Sequence, residues 1–85
     1  MVLKEIRLKL PEDALVFDNY SYDTAIVGVT LDGRVIYCYE KMVMELMREE
    51  DMSYEEACEW IDYNTIRALP YAGDKAPVIM YSMEE

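Results

Sequence analysis

Histidine is absent from this chain of 85 residues, and cysteine (two), glycine (three), proline (three), phenylalanine (one) and tryptophan (one) are scarce. Without histidine there is no Ser-His-Asp or Cys-His arrangement and no zinc site of ordinary composition. Cys38 and Cys58 lie far apart with no CxxC spacing, which favours two reduced thiols acting as small hydrophobes over a disulfide. Gly28, Gly33 and Gly73 are too scattered for a GxGxxG or GxxxxGK[ST] loop, and no EF-hand pattern occurs. Asp18, Asp23, Asp62 and Asp74 are the acids left for an oxygen-only magnesium site, and solvated surface carboxylates are the favoured reading of them. The expectation is a protein that works by binding, with no catalytic residue, metal or cofactor.

Long apolar runs are missing too. Nothing approaches the ~18 to 20 residues of a membrane span, and Met1, Val2, Leu3, Lys4 and Glu5 alternate instead of building a signal peptide's hydrophobic block. A cytoplasmic site of action without a membrane partner is expected.

What the chain has is apolar content and acid. At 53% hydrophobic and 31% charged residues it is too apolar for a disordered acidic tail and long enough for one domain, residues 1–85, with a small core. The formal net charge is −10, and residues 40–62 carry nine of the eighteen carboxylates against only Lys41 and Arg48. Such a surface repels nucleic acid and attracts basic partners.

Along the chain, residues 3–10 alternate with Ile6, Leu8 and Leu10 on one side and Glu5, Arg7 and Lys9 on the other, the period-2 pattern of a half-buried strand. Residues 14–17 form a second candidate strand, and residues 18–23 have the composition of an exposed loop. Residues 24–31 and 34–39 flank Asp32 and Gly33, a strong hairpin signal. The period then changes. Tyr39, Met42, Val43, Leu46 and Met47 make one apolar helical stripe. Ser53 and Glu56 form a capping box that opens a second helix, with Met52 and Ala57 at the staple positions. Its inward stripe runs through Tyr54, Ala57, Cys58, Ile61, Thr65 and Ala68 until Pro70 stops it, and residues 78–81 read as a last strand. The expected fold is α+β, a small antiparallel sheet of four to five strands with a two-helix pair on one face, in the order β-β-β-β-α-α-β.

Eight tyrosines against one Phe17 and one Trp60 suit core rims or contact surfaces, since each ring keeps a hydroxyl that can stay wet. Tyr37 and Tyr39 share a hairpin face with Val35 and read as core rim, whereas Tyr20 and Tyr22 in the polar loop are contact candidates. Trp60, between inward Ala57 and Ile61 and outward Glu59, reads as a core flank, with an exposed hot spot as the alternative. Glu55, Glu59 and Asp62 form an outward ladder at i, i+4 and i+7, and Glu45 and Glu49 lie one turn apart. Glu55 and Glu56 have a first-turn reason to be acidic. Glu49, Glu50, Asp51, Glu59 and Asp62 have none visible in the sequence. Near the helix end, Tyr63, Asn64 and Arg67, with Tyr71 and Lys75, would line a pocket for an anionic ligand if they turned inward. The ordinary reading of Arg67 is a C-terminal cation complementing the dipole.

The stretch of residues 25–81, especially Ser53, Tyr54, Glu55, Glu56, Ala57 and the run of residues 60–71, resembles small uncharacterised proteins encoded by phages and mobile elements of Gram-positive gut bacteria. That resemblance implies an anti-CRISPR or other anti-defence role inside the host bacterium and supplies no site residues of its own. Carboxylates spaced along a rigid face can stand in for phosphates in a cationic groove. The expected function is therefore inhibition of a basic nucleic-acid-binding defence protein through a DNA-mimicking helical face, with no direct binding of nucleic acid. Its contact residues would be Glu45, Glu49, Glu50, Asp51, Glu55, Glu59, Asp62, Tyr20 and Tyr22. The alternatives are a sponge for a small anionic or nucleotide signal, and an assembly protein that forms a homodimer through the last strand's edge or its tyrosines. A face that only confers solubility is the plain reading against which these stand.

Overall fold

A glycine turn organises the sheet. The structure, a computed structural model, describes Leu10, residues 14–17 and residues 20–83. β1 (Ile26–Val29) and β2 (Val35–Cys38) form the antiparallel hairpin expected around Asp32 and Gly33. Gly33 has φ 88°, a left-handed conformation that costs glycine little. Its amide donates to the Thr30 carbonyl at 3.0 Å, and the Thr30 amide donates to the Arg34 carbonyl at 2.8 Å. The Arg34 amide donates to Thr30 Oγ1 at 2.9 Å, so the turn leaves few backbone groups unmet. An irregularity between Ile26 and Gly28 shifts the register of β1.

α1 (Tyr39–Glu49) follows β2 directly and buries Tyr39, Met42, Val43 and Leu46, as the apolar stripe predicts; Met47 lies at its margin and is exposed. The helix closes with the Glu50 amide donating to the Leu46 carbonyl at 2.9 Å, after which Asp51 takes φ 54°. α2 (Tyr54–Asn64) opens on the expected capping box, both halves of which form. The Glu56 amide donates to Ser53 Oγ at 3.1 Å and the Ser53 amide donates to Glu56 Oε1 at 3.0 Å. Ala57 and Ile61 face the core, and Met52 packs against it at the staple position. Tyr54 and Ala68, expected on the inward stripe, are exposed. Tyr54 sits in the first turn, and Ala68 lies in a 3-10 helix (Ile66–Tyr71) that replaces the α-helix after Thr65. Pro70 accounts for the change, because it has no N–H to offer the Ile66 carbonyl and its ring would crowd that group.

β3 (Val78–Met80) lies beside β2, giving the strand order β1-β2-β3. It pairs parallel, Ile36 opposite Val78, Tyr37 opposite Ile79 and Cys38 opposite Met80, which corrects the expectation of a wholly antiparallel sheet. The physical reason is the helical pair, which forms the long crossover that parallel neighbours need. The described residues thus form an α+β domain with a small sheet of three strands and two helices. Residues 14–17 form no strand; Ala14, Val16 and Phe17 pack against the core in an irregular segment. The strand expected at residues 3–9 lies outside the described residues, and Leu10 packs against the core. The expected loop contains a 3-10 helix (Tyr20–Ala25) that packs against α1 and buries Tyr22, Asp23 and Ala25.

One core joins these parts. Val35 and Tyr37 of β2 meet Met42, Val43 and Leu46 of α1, Ala57 and Ile61 of α2, and Tyr22 and Ala25. Tyr37 lies deeper than the rim position expected for it, fully buried, with its hydroxyl accepting from the Phe17 amide at 3.1 Å. Among the described residues no helix is long and apolar enough to cross a membrane.

Candidate functional site on the outer face of the helical pair

The acidic residues of residues 40–62 divide by what each touches. Glu40, in the first turn of α1, accepts from the Ser82 amide at 2.9 Å and from Cys38 Sγ at 3.3 Å. The Ser82 amide, its own amide and Cys38 hold its carboxyl below the ordinary glutamate range. This acid clamps the chain after β3 to the start of α1. Glu45 and Glu49 lie 2.5 Å and 2.9 Å from Arg48, so a single guanidinium offsets part of the charge of both. Asp62 accepts from the Tyr39 hydroxyl at 3.3 Å and ties the two helices together. Burial above all, then Cys58 and Asp62, pushes that hydroxyl's pKa upward. Asp51 occupies the left-handed position between the helices, where a short polar side chain is tolerated.

Glu50, Glu55 and Glu59 remain. All three are exposed, and among the described residues none of their carboxylates makes a hydrogen bond or ion pair. Of the five acids for which the sequence offered no structural reason, three therefore have one, and Glu50 and Glu59 do not. Glu45 is only partly exposed, which weakens its claim as a contact residue.

Beside Glu59 lies a groove of about 350 Å³ lined by Met52, Glu56, Glu59, Trp60, Tyr63 and Asn64. Trp60 is 47% exposed and Tyr63 71%, so the core-flank reading of Trp60 is corrected. It lies one residue before Ile61, and on this short helix only Ala57 and Ile61 reach the core fully. The Asn64 side-chain amide donates to the Trp60 carbonyl at 3.1 Å and closes the end of the helix. Glu56 points into the same region with its carboxyl held below the ordinary range by the backbone and hydroxyl of Ser53. Met52 and Glu56, read from the sequence only as staple and cap, are groove residues as well.

Tyr22 does not join this face. Tyr22 is 2% exposed and sits in the core, with Phe17 edge-on at 5.9 Å, which removes it as a contact candidate; the Tyr20 side chain lies outside the described ones. Burial raises the Tyr22 hydroxyl's pKa, and Thr65 lies nearby without meeting it in hydrogen-bond geometry.

The inward-turned pocket is not formed. Tyr63, Asn64, Arg67 and Tyr71 are all exposed, the Arg67 guanidinium lies 4.7 Å from the Tyr63 ring centroid, and Lys75 Nζ donates to the Asp32 carbonyl. The 3-10 helix after Thr65 swings Tyr71 out to 90% exposure. A separate cavity of about 630 Å³ lies between that 3-10 helix and β3, lined by Arg34, Ile66, Leu69, Pro70, Val78 and Ile79 among others. Arg34 Nε donates to the Ala76 carbonyl at 2.8 Å at its margin.

Among the described residues, no group of three or more histidine, cysteine, aspartate or glutamate side chains is placed to hold a metal. Asp23, counted among solvated acids in the sequence, is fully buried. Cys38 and Cys58 are free thiols. No family of known proteins, no curated protein and no solved structure matches this chain.

Proposed function

We propose that this chain is a binding protein that lays the acidic outer face of its helical pair against the cationic surface of a nucleic-acid-binding protein and so inhibits it. A host defence protein of the CRISPR-effector kind, met in the bacterial cytoplasm, is the intended partner. The observation that supports this most is the trio Glu50, Glu55 and Glu59, exposed across a capped helical corner, their carboxylates without partners among the described residues. Rigid placement matters, since charges held by a folded scaffold meet a cationic groove without first losing backbone freedom. The charge of −10 adds long-range attraction to any basic partner.

The test is capture of bacterial proteins on the immobilised chain, with identification of what is retained. A retained nucleic-acid-binding protein that excess duplex DNA displaces, and that is lost between about 50 and 500 mM salt, supports the reading. Replacing Glu50, Glu55 and Glu59 together with lysine should abolish retention while leaving the circular dichroism spectrum unchanged. Retention that survives both the triple substitution and competing DNA would sink it.

The second reading, a sponge for a small anion, has support in the cavity containing Arg34, whose size falls within the ~300 to 1,000 Å³ of small-molecule sites. It predicts salt-tolerant thermal stabilisation by a nucleotide, lost in Arg34→Ala. A nucleotide panel that leaves the melting temperature unmoved rejects it.

A further inference from the structure

The groove on α2 presents two aromatic rings and two carboxylates to the same small space, together with Met52 and the Asn64 side chain. Each constituent narrows what can occupy it. An anion would meet Glu56 and Glu59 and be repelled. A neutral apolar group would cover the rings but strip water from Glu59, whose carboxylate has no partner among the described residues to compensate. A cation satisfies both halves, because the faces of Trp and Tyr rings attract positive charge and the carboxylates accept its N–H groups. The capping box fixes where the Glu56 carboxylate points, so one acceptor is already in place. A volume of about 350 Å³ suits one long side chain.

The choice between guanidinium and ammonium is argued from the same helix end. Tyr63 already carries the Arg67 guanidinium 4.7 Å from its ring centroid, and Arg67 does not line the groove. A flat guanidinium can stack on a ring while its fork of N–H groups reaches a carboxylate, which a compact ammonium cannot do at once. We infer that the groove between Trp60, Tyr63 and Glu59 is an anchor for an arginine side chain of the partner protein. The inference rests on the proposed function for the partner's being a basic protein; the groove's preference for a guanidinium stands on its own lining.

Trp60 is the chain's single tryptophan, so its emission reports on this groove alone. The experiment is a fluorescence titration of the full chain with a five-residue, end-blocked peptide carrying one central arginine, alongside peptides with lysine or citrulline there. A saturable change with the arginine peptide is expected, about tenfold weaker with citrulline and severalfold weaker with lysine. Tyr63→Ala and Glu59→Gln, both at exposed positions, should each weaken arginine-peptide binding about fivefold or more. No saturable change, equal response to arginine and citrulline, or unaltered binding in both variants would overturn the inference. A Glu50→Lys, Glu55→Lys double variant, altered outside the groove, should bind the peptide normally while losing the basic partner. If the peptide fails but capture persists, the anchor falls and the function stands; if the peptide binds but no basic protein is retained, the function falls and the anchor stands.

Discussion

At the scale of single residues, two core tyrosines illustrate how a hydroxyl's surroundings decide its value. Tyr37 accepts a hydrogen bond from the Phe17 amide, whereas the Tyr22 hydroxyl is buried without a hydrogen-bond partner among the described residues. Removing a satisfied group strands its donor, while removing an unsatisfied one relieves a desolvation cost. Tyr37→Phe should therefore destabilise the fold by about 1 kcal/mol, and Tyr22→Phe should leave it unchanged or stabilise it by up to about 1 kcal/mol; urea denaturation distinguishes the two. The carboxyls of Glu40 and Glu56 carry a pH signature. Both are held below the ordinary glutamate range by amides and a thiol or hydroxyl that favour the charged form. Their stabilisation is complete above the unfolded value of about 4.3 and disappears as pH falls through the lower folded value. Melting temperature should fall between about pH 5 and pH 3 more steeply in the natural chain than in a Glu40→Gln, Glu56→Gln variant. Which glutamates would behave this way was partly legible: Ser53 three residues before Glu56 announces a cap, whereas the Glu40 clamp depends on Ser82, forty-two residues away.

At the scale of elements, the periodic segments were legible and the irregular ones were not. The stripe of α1, the capping box and the Asp32-Gly33 turn rest on neighbours within a few residues, so local chemistry was enough to place them. Residues 14–17 and Tyr20–Ala25 have no period of their own; contact with the core half-buries Phe17 and buries Tyr22, and the 3-10 helix that carries Asp23 packs against α1. The corner between α1 and α2 separates fold from function usefully. Asp51 stands at φ 54°, where glycine avoids the cost of a Cβ, so Asp51→Gly should raise stability by a few tenths to about 1 kcal/mol. Thermal denaturation measures it. If partner binding is unchanged in that variant, Asp51 belongs to the turn, and the acidic contact narrows to Glu50, Glu55 and Glu59.

At the scale of the whole molecule, a charge of −10 on so small a domain acts on folding and on binding with opposite dependence on salt. Screening relieves self-repulsion, so melting temperature should rise by several degrees between about 10 and 150 mM sodium chloride. The same screening weakens attraction to a basic partner. A protein that becomes more stable and binds less well over the same salt range fits the proposed function, whereas a melting temperature that falls with added salt would mean that internal ion pairs outweigh repulsion. The acidic surplus on which the proposal of a basic partner rests was legible from composition alone. The groove that gives the face a shape was not, because it depends on where α2 stops and which side of Trp60 remains outside.

The parallel pairing of β3 with β2 also sets an order of events. The Arg34 to Ala76 and Ser82 to Glu40 hydrogen bonds each join residues forty-two apart, as does the Ile36 to Val78 register that they flank. Closing loops of that length delays such contacts behind the hairpin and the helices, which need only local partners. β3 is then the last piece to dock and the first to leave. Truncating Ile79 to alanine should accelerate unfolding in stopped-flow chevrons while changing the folding rate little, whereas Val35→Ala in the hairpin should slow folding. The helical face can thus be complete before the sheet is.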